Sequence, residues 1–486
     1  MPREHLLKIG VSGIRGVVGE FLTPQLACAF AQAFGTYVEA GRVVVGRDTR
    51  ASGPMLQNAV TCGLLAAGCE VVDVGILPTP TIQMFVSSTR ARGGIALTAS
   101  HNPPEYNALK LFNAKGLFFN QYERNELLDL YHESEFHQAA NAEFRRVLTE
   151  YEMPPKLHFE RVLKHVNLER IRKRRFRVGL DGVNGAGSVM SVRFLRDILG
   201  CELEAISVDP TKPFPRVAEP RPDTLGDLAA LVPRCRCEIG FAQDPDGDRL
   251  AVVDETGHVL DNDDVLALAV DAALERVPGD VVVNLTTSSV IDDVAAMHGR
   301  RVFRTPVGEA NVVESMQAVG AAIGGEGSNG GIIFPAVHLC RDSYTGMAFL
   351  LDRMAETGLG LGAGGTASAL LPQARQGGIR ARPAGPHDAG ARRELPERGA
   401  RPLRRPETFA AGGLDPRPGI EYRTDPAPGG RSQEPGCHGG AVRPGSVFAR
   451  GIGFAAEAQR TQRKRREFSK GFLCVASASS ASLRWE

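Results

Sequence analysis

Short apolar runs alternate with amphipathic stretches over residues 1–357, which predicts strands and helices in turn. Val43–Val45, Glu70–Val74 and Ile95–Leu97 are apolar runs of strand length. We predict that the helix before the first of them follows Thr23 as its N-cap, has proline at its first position and extends to about Ala40. Because strands that alternate with helices form parallel or mixed sheets covered by helices, the predicted fold class is α/β.

The same alternation recurs twice more, so this chain of 486 residues is predicted to contain three tandem α/β domains with mixed sheets. Pro154-Pro155 marks the first boundary, and Asp261 lies near the second. The predicted domains are residues 1–153, 154–258 and 259–357. Their later predicted strands are Val178–Asp181, Ile239–Ala242, Leu250–Val253, Val281–Leu285, Arg301–Arg304 and Ile332–Phe334.

The hydrophobic pattern stops after residue 357, and residues 358–486 are rich in proline, glycine, arginine and alanine. Residues 377–445 contain no pattern typical of a strand pair or a long helix. Such a composition cannot bury enough apolar surface to offset chain entropy. We therefore expect a degenerate or disordered C-terminal region at 358–486.

Charge and composition exclude several classes of protein. Lys and Arg number 57 against 56 Asp and Glu, a net charge of +1, so nucleic acid is not the expected partner. The N-terminus has no apolar core of a signal peptide, and no stretch approaches the ~18 apolar residues of a spanning helix, so we expect a cytoplasmic protein without a membrane partner. Nine cysteines without regular spacing indicate reduced thiols, and Cys235-Arg236-Cys237 is too tight for a zinc knuckle.

Ser100 is the first candidate for chemistry. It follows the predicted strand Ile95–Leu97 in a turn of small residues, and His101, Asn102 and two prolines come next. This arrangement exposes a hydroxyl at the carboxyl end of a strand, where open α/β sheets bind their ligands. From these residues alone, Ser100 is a nucleophile, a phosphate carrier or part of a polar turn.

Asp244, Asp246 and Asp248 form the second candidate, in a loop between two predicted strands. Carboxylates at alternate positions of a turn can converge on one hard cation. The EF-hand pattern fails, because Arg249 occupies the required glycine position and strands flank the loop. The alternative is a solvated acidic turn.

Three glycine-rich segments are further candidates for ligand binding or for tight turns. Arg15 lies between glycines in residues 8–16, and Glu326 is the carboxylate of residues 324–331. Bare backbone and an acceptor suit a ligand rich in hydroxyls, although a flexible hairpin is the alternative for the latter segment. Residues 182–187 have the wrong glycine spacing for a dinucleotide site, so we interpret them as a strand-to-helix turn.

The string Thr98-Ala99-Ser100-His101-Asn102-Pro103, with Asn107 and Lys110 behind it, resembles the phosphoserine loop of the α-D-phosphohexomutases. This family comprises phosphoglucomutases, phosphomannomutases and phosphoglucosamine mutases. Residues 13–16, Gly-Ile-Arg-Gly, and residues 244–249, Asp-Pro-Asp-Gly-Asp-Arg, resemble the loops that the family places beside the phosphoserine and around magnesium. The resemblance extends over three domains to about Thr357.

The resemblance implies an enzyme of the isomerase class that interconverts hexose or hexosamine 6-phosphates and 1-phosphates through a phosphoserine and a bisphosphorylated sugar. Its small-molecule partners would be sugar phosphates, its cofactor Mg²⁺, and its oligomeric state is left open. The implied metal ligands are Ser100, Asp244, Asp246 and Asp248. The implied catalytic residues are Ser100, Lys110 as first choice for general acid/base, His101, Arg15 and Arg249. The implied sugar-binding residues are Glu326, Ser328, Asn329 and Gly308.

Substrate choice depends on the loop Glu-Gly-Ser-Asn-Gly-Gly at 326–331, which is more similar to a phosphoglucosamine mutase than to the other members. Phosphomannomutase and phosphoglucomutase follow closely. The family's fourth-domain loop, Arg-x-Ser-(Gly/Asn)-Thr-Glu-Pro, has no counterpart after residue 357. We therefore expect impaired activity and interpret the C-terminal region as a translated frameshift, with a genuine low-complexity tail as the alternative. A non-catalytic sugar-phosphate binding relative and a Mg²⁺-dependent phosphatase remain the competing functions.

Overall fold

The computed structural model describes residues 8–10 and 13–361 of the chain. The predictions for the C-terminal region concern residues that lie almost entirely outside this described part. Within it, three α/β domains follow one another, and each is built on its own mixed sheet. The predicted fold class is confirmed for these residues, whereas the boundaries predicted at 153/154 and 258/259 stay predictions.

The first domain has a seven-stranded sheet in the order β1-β2-β6-β5-β3-β4-β7. The strands are β1 Lys8–Gly10, β2 Gly13–Val17, β3 Arg42–Arg47, β4 Glu70–Ile76, β5 Gly93–Leu97, β6 Tyr106–Asn113 and β7 Val147–Thr149. The helices are α1 Pro24–Tyr37, α2 Gly53–Ala66, α3 Thr79–Ser88 and α4 Gln121–Glu133. Strand β3 lies parallel to β4 and β5, whereas β6 runs antiparallel to β5, so the sheet is mixed.

Helix α1 begins as its sequence predicts and ends earlier. The Thr23 hydroxyl accepts a hydrogen bond from the Leu26 amide, and Pro24 occupies the first helical position. The helix stops at Tyr37 because Glu39 and Ala40 adopt positive φ angles of 55° and 53°. The predicted end at about Ala40 is therefore three residues too late.

Two helices, α5 Met153–Leu163 and α6 Leu168–Arg174, connect the first domain to the second. The second domain has strands in the order β11-β10-β8-β9. Its strands are β8 Arg177–Asp181, β9 Glu202–Ile206, β10 Ile239–Gln243 and β11 Leu250–Asp254, and its helices are α7 Gly187–Val192, followed by a π-helical segment Arg193–Ile198, and α8 Gly226–Arg234. Strand β10 lies parallel to β8 and antiparallel to β11, so the acidic loop is the connection of a hairpin.

The third domain begins with α9 Asn262–Leu274 and has the strand order β13-β12-β14-β15-β16. Its strands are β12 Val281–Asn284, β13 Val302–Thr305, β14 Ile323–Glu326, β15 Gly331–Phe334 and β16 His338–Arg341, and its further helices are α10 Val290–Met297, α11 Glu309–Val319 and α12 Ser343–Thr357. Gly324 and Gly325 belong to β14, so the turn is shorter than the glycine-rich segment suggests. Gly324 sits where a Cβ atom would lie 2.0 Å from the Val282 carbonyl oxygen, and this close approach explains glycine within the strand.

The three domains share buried contacts. One continuous apolar cluster includes Phe85 of the first domain, Phe159 of the connecting helix α5 and Phe349 of the third domain. His158 of α5 contacts Thr81 at 2.8 Å and Asp342 at 3.1 Å, which ties α3 to the start of α12. This packing fixes the loops of different domains relative to one another. Among the helices of the described residues, none is long and apolar enough to cross a bilayer.

Candidate active site

Ser100 lies just beyond the carboxyl end of β5 and faces the second domain. It adopts a left-handed backbone conformation with φ of 50°, and it is buried. Its hydroxyl donates a hydrogen bond to Asp244 Oδ2 at 2.7 Å, although 144 positions separate the two residues in the chain. The structure thus brings the candidate serine and the acidic loop together.

The serine loop is held from a neighbouring strand. Asp48 follows β3, and its Oδ2 accepts hydrogen bonds from the Thr98 hydroxyl at 2.7 Å and from Arg50 Nε at 3.0 Å. The Thr98 hydroxyl oxygen in turn accepts a hydrogen bond from the Ser100 amide at 3.0 Å. Because β3 and β5 are parallel neighbours, their carboxyl ends meet at one edge of the sheet and supply these contacts.

Asp244, Asp246 and Asp248 form a buried cluster that is suited to a metal ion. One carboxylate oxygen from each lies within 4.8 Å of the others. Asp246 Oδ1 and Asp248 Oδ1 are buried and have no hydrogen-bond partner among the described residues. A buried carboxylate oxygen without a donor is costly unless a cation approaches it, and oxygen ligands are those that magnesium prefers. The donor set therefore fits a hard divalent cation.

The pKa values of Asp244 and Asp246 are shifted in opposite directions. Burial, together with the Asp248 and Asp246 charges, raises the pKa of Asp244 well above its usual value. Burial also acts to raise the pKa of Asp246, but the Lys110 ammonium and hydrogen bonds from its neighbours lower it overall. The three like charges are thus balanced in part by one lysine.

Lys110 comes from β6 and is buried against the acidic loop. Its Nζ donates to Asp246 Oδ2 at 2.5 Å and lies 3.5 Å from Asp248 Oδ2. Burial acts to lower the pKa of Lys110, but the Asp246 and Asp248 carboxylates raise it overall. The side chain is therefore a cation that spans two of the candidate metal ligands.

The acidic loop rests on backbone from two other segments. The Thr79 amide and hydroxyl, at the start of α3, donate to the carbonyl and the carboxylate of Asp246 at 2.9 and 2.6 Å. The Ala186 amide donates to the Pro245 carbonyl at 2.7 Å. The glycine turn at 182–187 is thus the strand-to-helix turn that its spacing predicts, and it supports the acidic loop from below.

Two arginines and a histidine surround the Ser100 hydroxyl. Arg15 Nη1 donates to Asn102 Oδ1 at 2.6 Å, and Arg249 Nη1 donates to Glu219 Oε1 at 2.5 Å. His101 Nδ1 lies 3.5 Å from Ser100 Oγ. Burial, with the Arg249 charge, lowers the pKa of His101 to about 4, so its imidazole is neutral at pH 7.

Glu326 lies at the end of β14 and is part of a buried ionic group. Its Oε1 accepts hydrogen bonds from Asn284 Nδ2 at 3.0 Å and from the Gly308 amide at 2.8 Å. Arg341 donates to Glu326 at 3.2 Å, to Glu309 at 2.9 Å and to Asp248 at 2.7 Å. A single guanidinium therefore joins the acidic loop of the second domain to the candidate sugar loop of the third.

A cleft of about 210 Å³ lies between these groups. Most of the residues expected at the site line it, namely Arg15, Ser100, His101, Lys110, Arg249, Gly308, Glu326 and Asn329, together with Phe118, Val307, Glu309, Ala310 and Arg341. Ser328 is exposed and contacts the Thr286 hydroxyl at 3.0 Å, outside the lining of this cleft. The aspartates lie behind Ser100 and Lys110.

Sequence reasoning missed four residues of this arrangement. Asp48 and Arg50 follow a predicted strand as the charged string Asp-Thr-Arg, and this position was the signal that could have found them. Glu309 follows Gly308 and carries a comparable signal. Arg341 gives none, because an arginine at a strand end is most often a surface residue.

Comparison with known proteins identifies the chain. Models described as phosphoglucomutase/phosphomannomutase alpha/beta/alpha domains I, II and III match residues 6–138, 156–257 and 261–368. The chain is 39% identical over 356 residues to a phosphoglucomutase/phosphomannomutase of Thermococcus kodakarensis, covering 72% of this chain and 77% of that protein. It is 38% identical over 351 residues to a protein of Methanopyrus kandleri named "Probable phosphoglucosamine mutase", with 72% and 76% covered.

Solved structures agree with this result. A phosphoglucomutase/phosphomannomutase family protein of Burkholderia thailandensis superposes with a TM-score of 0.62 and 28% identity, over 75% of this chain and 80% of that one. The family expected from the serine and acidic loops is therefore confirmed. The chain belongs to the phosphoglucomutase/phosphomannomutase family, the phosphohexomutases, which are isomerases that act by phosphoryl transfer.

Proposed function

We propose that the protein interconverts the 6-phosphate and 1-phosphate of a hexosamine, with Ser100 as the phosphoryl carrier. The observation that carries the proposal is the 2.7 Å hydrogen bond from the buried Ser100 hydroxyl to Asp244. A serine in a polar turn has no need of a buried acidic partner from another domain, whereas a phosphoryl carrier needs a cation site beside it.

In the proposed reaction, phosphorylated Ser100 gives its phosphoryl group to a free hydroxyl of the bound sugar phosphate. The bond between Ser100 Oγ and phosphorus breaks, a sugar oxygen–phosphorus bond forms, and the sugar hydroxyl loses its proton. The bisphosphorylated sugar then turns over in the cleft, and its other phosphoryl group returns to Ser100. Each half-reaction therefore leaves the total number of phosphoryl groups unchanged.

The residues around Ser100 suggest how protons move. Neutral His101, with its ring nitrogen 3.5 Å from Ser100 Oγ, can accept the hydroxyl proton. Lys110 remains the proposed general acid/base, because it lines the same cleft as Ser100 and carries protons on its ammonium group. Arg15 and Arg249 add positive charge beside the transferred group.

Asp244, Asp246 and Asp248 are the proposed ligands of a magnesium ion, with Ser100 completing the set. A bound magnesium ion supplies positive charge against the oxygens of the transferred phosphoryl group. Lys110 and Arg341 hold the second oxygens of Asp246 and Asp248. The two orphan oxygens, Asp246 Oδ1 and Asp248 Oδ1, are therefore left for the ion.

Glu326, Gly308 and Asn329 are proposed to orient the sugar, because they line the same cleft as Ser100. A carboxylate offers about four acceptor positions, and three described donors occupy Glu326, so it retains capacity for a sugar hydroxyl. Ser328 would act from the rim of the site. The proposed preference for a hexosamine is supported by the loop sequence at 326–331 and by relatives named "Probable phosphoglucosamine mutase".

We also propose that turnover by this chain is slow. The family's loop for the second phosphate has no counterpart in the sequence after residue 357, so the sugar's other end would be held weakly. A steady-state assay that gives ordinary turnover for the family would refute this part of the proposal. Sequencing of the gene tests the frameshift interpretation, since the shifted reading frame should encode the missing loop.

Intact-mass measurement of Ser100 phosphorylation tests the main proposal. We expect the phosphorylated fraction of Ser100 to change when glucosamine, mannose or glucose phosphate is added with Mg²⁺. The change should be largest with glucosamine phosphate. The Ser100→Ala variant is the matched control and should carry no such phosphate. Release of free phosphate without formation of the isomeric sugar phosphate would instead indicate a phosphatase, and no phosphate on Ser100 under any condition would refute the carrier role.

A further inference from the structure

Arg50 is buried beneath the serine loop and is joined to it by an unusual number of hydrogen bonds. Its side chain is 0% exposed. Its guanidinium donates to four loop carbonyl oxygens, those of Ser100 at 2.7 Å, Asn102 at 2.7 Å, Pro103 at 2.6 Å and Tyr106 at 3.1 Å. A fifth hydrogen bond goes to Asp48 Oδ2 at 3.0 Å.

These bonds satisfy backbone groups that the loop's own geometry leaves without a strand partner. The Ser100–Tyr106 segment leaves β5 and returns as β6, and its two prolines lack amide hydrogens. A buried carbonyl without a partner costs about 1–3 kcal/mol, so loss of the hydrogen bond to the buried Ser100 carbonyl alone would disfavour this loop conformation. Arg50 therefore stabilises a conformation that the segment would not hold by itself.

The conformation in question decides where the Ser100 hydroxyl points. Ser100 has a positive φ of 50°, a region that non-glycine residues occupy only when their surroundings require it. Arg50 holds the Ser100 carbonyl, while Asp48 and Thr98 hold the Ser100 amide. Both peptide groups of the serine are thus fixed from β3, and the hydroxyl is left to meet Asp244.

A second contact links Arg50 to the domain that carries the acidic loop. The guanidinium carbon lies 5.1 Å from the centre of the Phe214 ring, a cation–π arrangement. Next to it, the Thr49 hydroxyl donates to the Asn184 carbonyl oxygen at 2.7 Å. The residue that orders the serine loop is therefore itself held by the second domain.

We infer that Arg50 is a positioning residue for phosphoryl transfer, which acts through the serine loop and the docked Phe214 ring without touching the sugar. Arg50 does not line the cleft, so its loss should slow the transfer and leave sugar binding nearly unchanged. This inference rests on the proposed role of Ser100 as phosphoryl carrier. A nucleophile displaced by about 1 Å can lose ~100-fold in rate, which sets the expected size of the effect.

The test uses the full-length chain and the variants Arg50→Met, Arg50→Lys and Phe214→Leu. Arg353→Met is the matched control, because Arg353 is also largely buried and pairs with three carboxylates far from the cleft, those of Asp271, Glu275 and Glu356. Phosphorylation of Ser100 by a hexose 1,6-bisphosphate with Mg²⁺ is followed by intact mass at several sugar concentrations. Hydrogen–deuterium exchange of the peptide covering residues 98–106 is measured in parallel.

We expect Arg50→Met to lower the maximal phosphorylation rate ~100-fold and to shift the half-saturating sugar concentration less than about twofold. Arg50→Lys and Phe214→Leu should fall between this variant and the wild type, and they remain informative if Arg50→Met does not fold. Exchange at 98–106 should rise in the Arg50 variants, rise less in Phe214→Leu and stay unchanged in Arg353→Met. Folded Arg353→Met should change the rate less than about threefold, even if it is less stable than the wild type.

Rates in the Arg50→Lys and Phe214→Leu variants that match Arg353→Met would overturn the inference. A shift of half-saturation without a change in maximal rate would do the same, since it would place Arg50 in sugar binding. If wild-type Ser100 accepts no phosphate, the proposed carrier role fails instead. In that case the hydrogen–deuterium exchange measurement still tests whether Arg50 orders the serine loop. Equal protection of residues 98–106 in Arg50→Lys and the wild type would refute positioning by Arg50.

Discussion

Gly185 offers a test of how tightly the acidic loop is supported. An alanine Cβ at this position would lie 2.7 Å from both the Cα and the carbonyl oxygen of Pro245, which stands between Asp244 and Asp246. That distance is 0.7 Å short of the 3.4 Å at which ordinary contact begins. The obstacle is backbone on both sides, so no side-chain rotation can relieve it.

The Gly185→Ala substitution must therefore displace the acidic loop by several tenths of an ångström. Overpacking of this kind costs about 1–3 kcal/mol of folding stability. The relative loss of Mg²⁺ affinity should exceed the relative loss of folding stability. Magnesium tolerates little departure from octahedral geometry with ligand distances of about 2.0–2.1 Å. Disturbance of the groups that support metal ligands commonly weakens affinity ~10–100-fold, and we expect a loss in that range.

Isothermal titration with Mg²⁺ and urea denaturation measure the two effects. Gly226→Ala is the matched control, because a Cβ there meets no atom within 4 Å and the residue opens helix α8. We expect the control to bind Mg²⁺ as the wild type does and to be equally stable or slightly more stable. Mg²⁺ affinity in Gly185→Ala within threefold of the control would refute the idea that the glycine turn fixes the loop.

Three further predictions follow from the charges of the site and the core. Lys110→Met leaves the buried Asp246 carboxylate without its cation, so the free energy of unfolding measured in urea should fall by about 3–5 kcal/mol, and added Mg²⁺ should restore more stability than it adds to the wild type. Burial lowers the pKa of His338 from 6.5 to about 4. Between these two pH values, the histidine is protonated in the unfolded chain and neutral in the folded chain. Stability should fall as pH drops from 6.5 towards 4, and less so in His338→Gln, as urea midpoints at pH 7.5 and 5 would reveal. Glu326→Gln weakens acceptance from sugar hydroxyls and should raise the half-saturating sugar phosphate concentration more than about tenfold, with little effect on Mg²⁺ binding.

The sequence predicts the parts of this protein that local rules govern. Apolar runs locate β3, β5 and β10 within two residues of their observed positions, because burial on both faces requires continuous hydrophobic strands. Thr23 and Pro24 predict the start of α1 through hydrogen bonds made within four residues. The serine and acidic loops can be recognised for the same reason, since each is one short string.

Tertiary contacts are harder to predict from such strings. The early end of α1 depends on the left-handed conformation of Glu39 and Ala40, and neither is a glycine, the residue type that would predict it. Arg50 donates mainly to backbone carbonyls. Because every residue type has this group, the sequence does not indicate which residues accept these hydrogen bonds. Arg341 reaches carboxylates 15, 32 and 93 positions away, and no local pattern specifies such a set.

The charges around the cleft nevertheless follow a rule that connects these contacts to function. Lys110, Arg249 and Arg341 each pair with carboxylates, so their positive charge is largely neutralised within the protein. Arg15 differs, because its hydrogen bond goes to the neutral amide of Asn102 and the described residues place no carboxylate within 4 Å of it. A phosphate dianion that enters the cleft binds most strongly to a cation that is not already paired with a carboxylate of the protein. In the proposed reaction, Arg15 is therefore the cation, among the described residues of the cleft, that is best placed to pair with the transferred phosphoryl group.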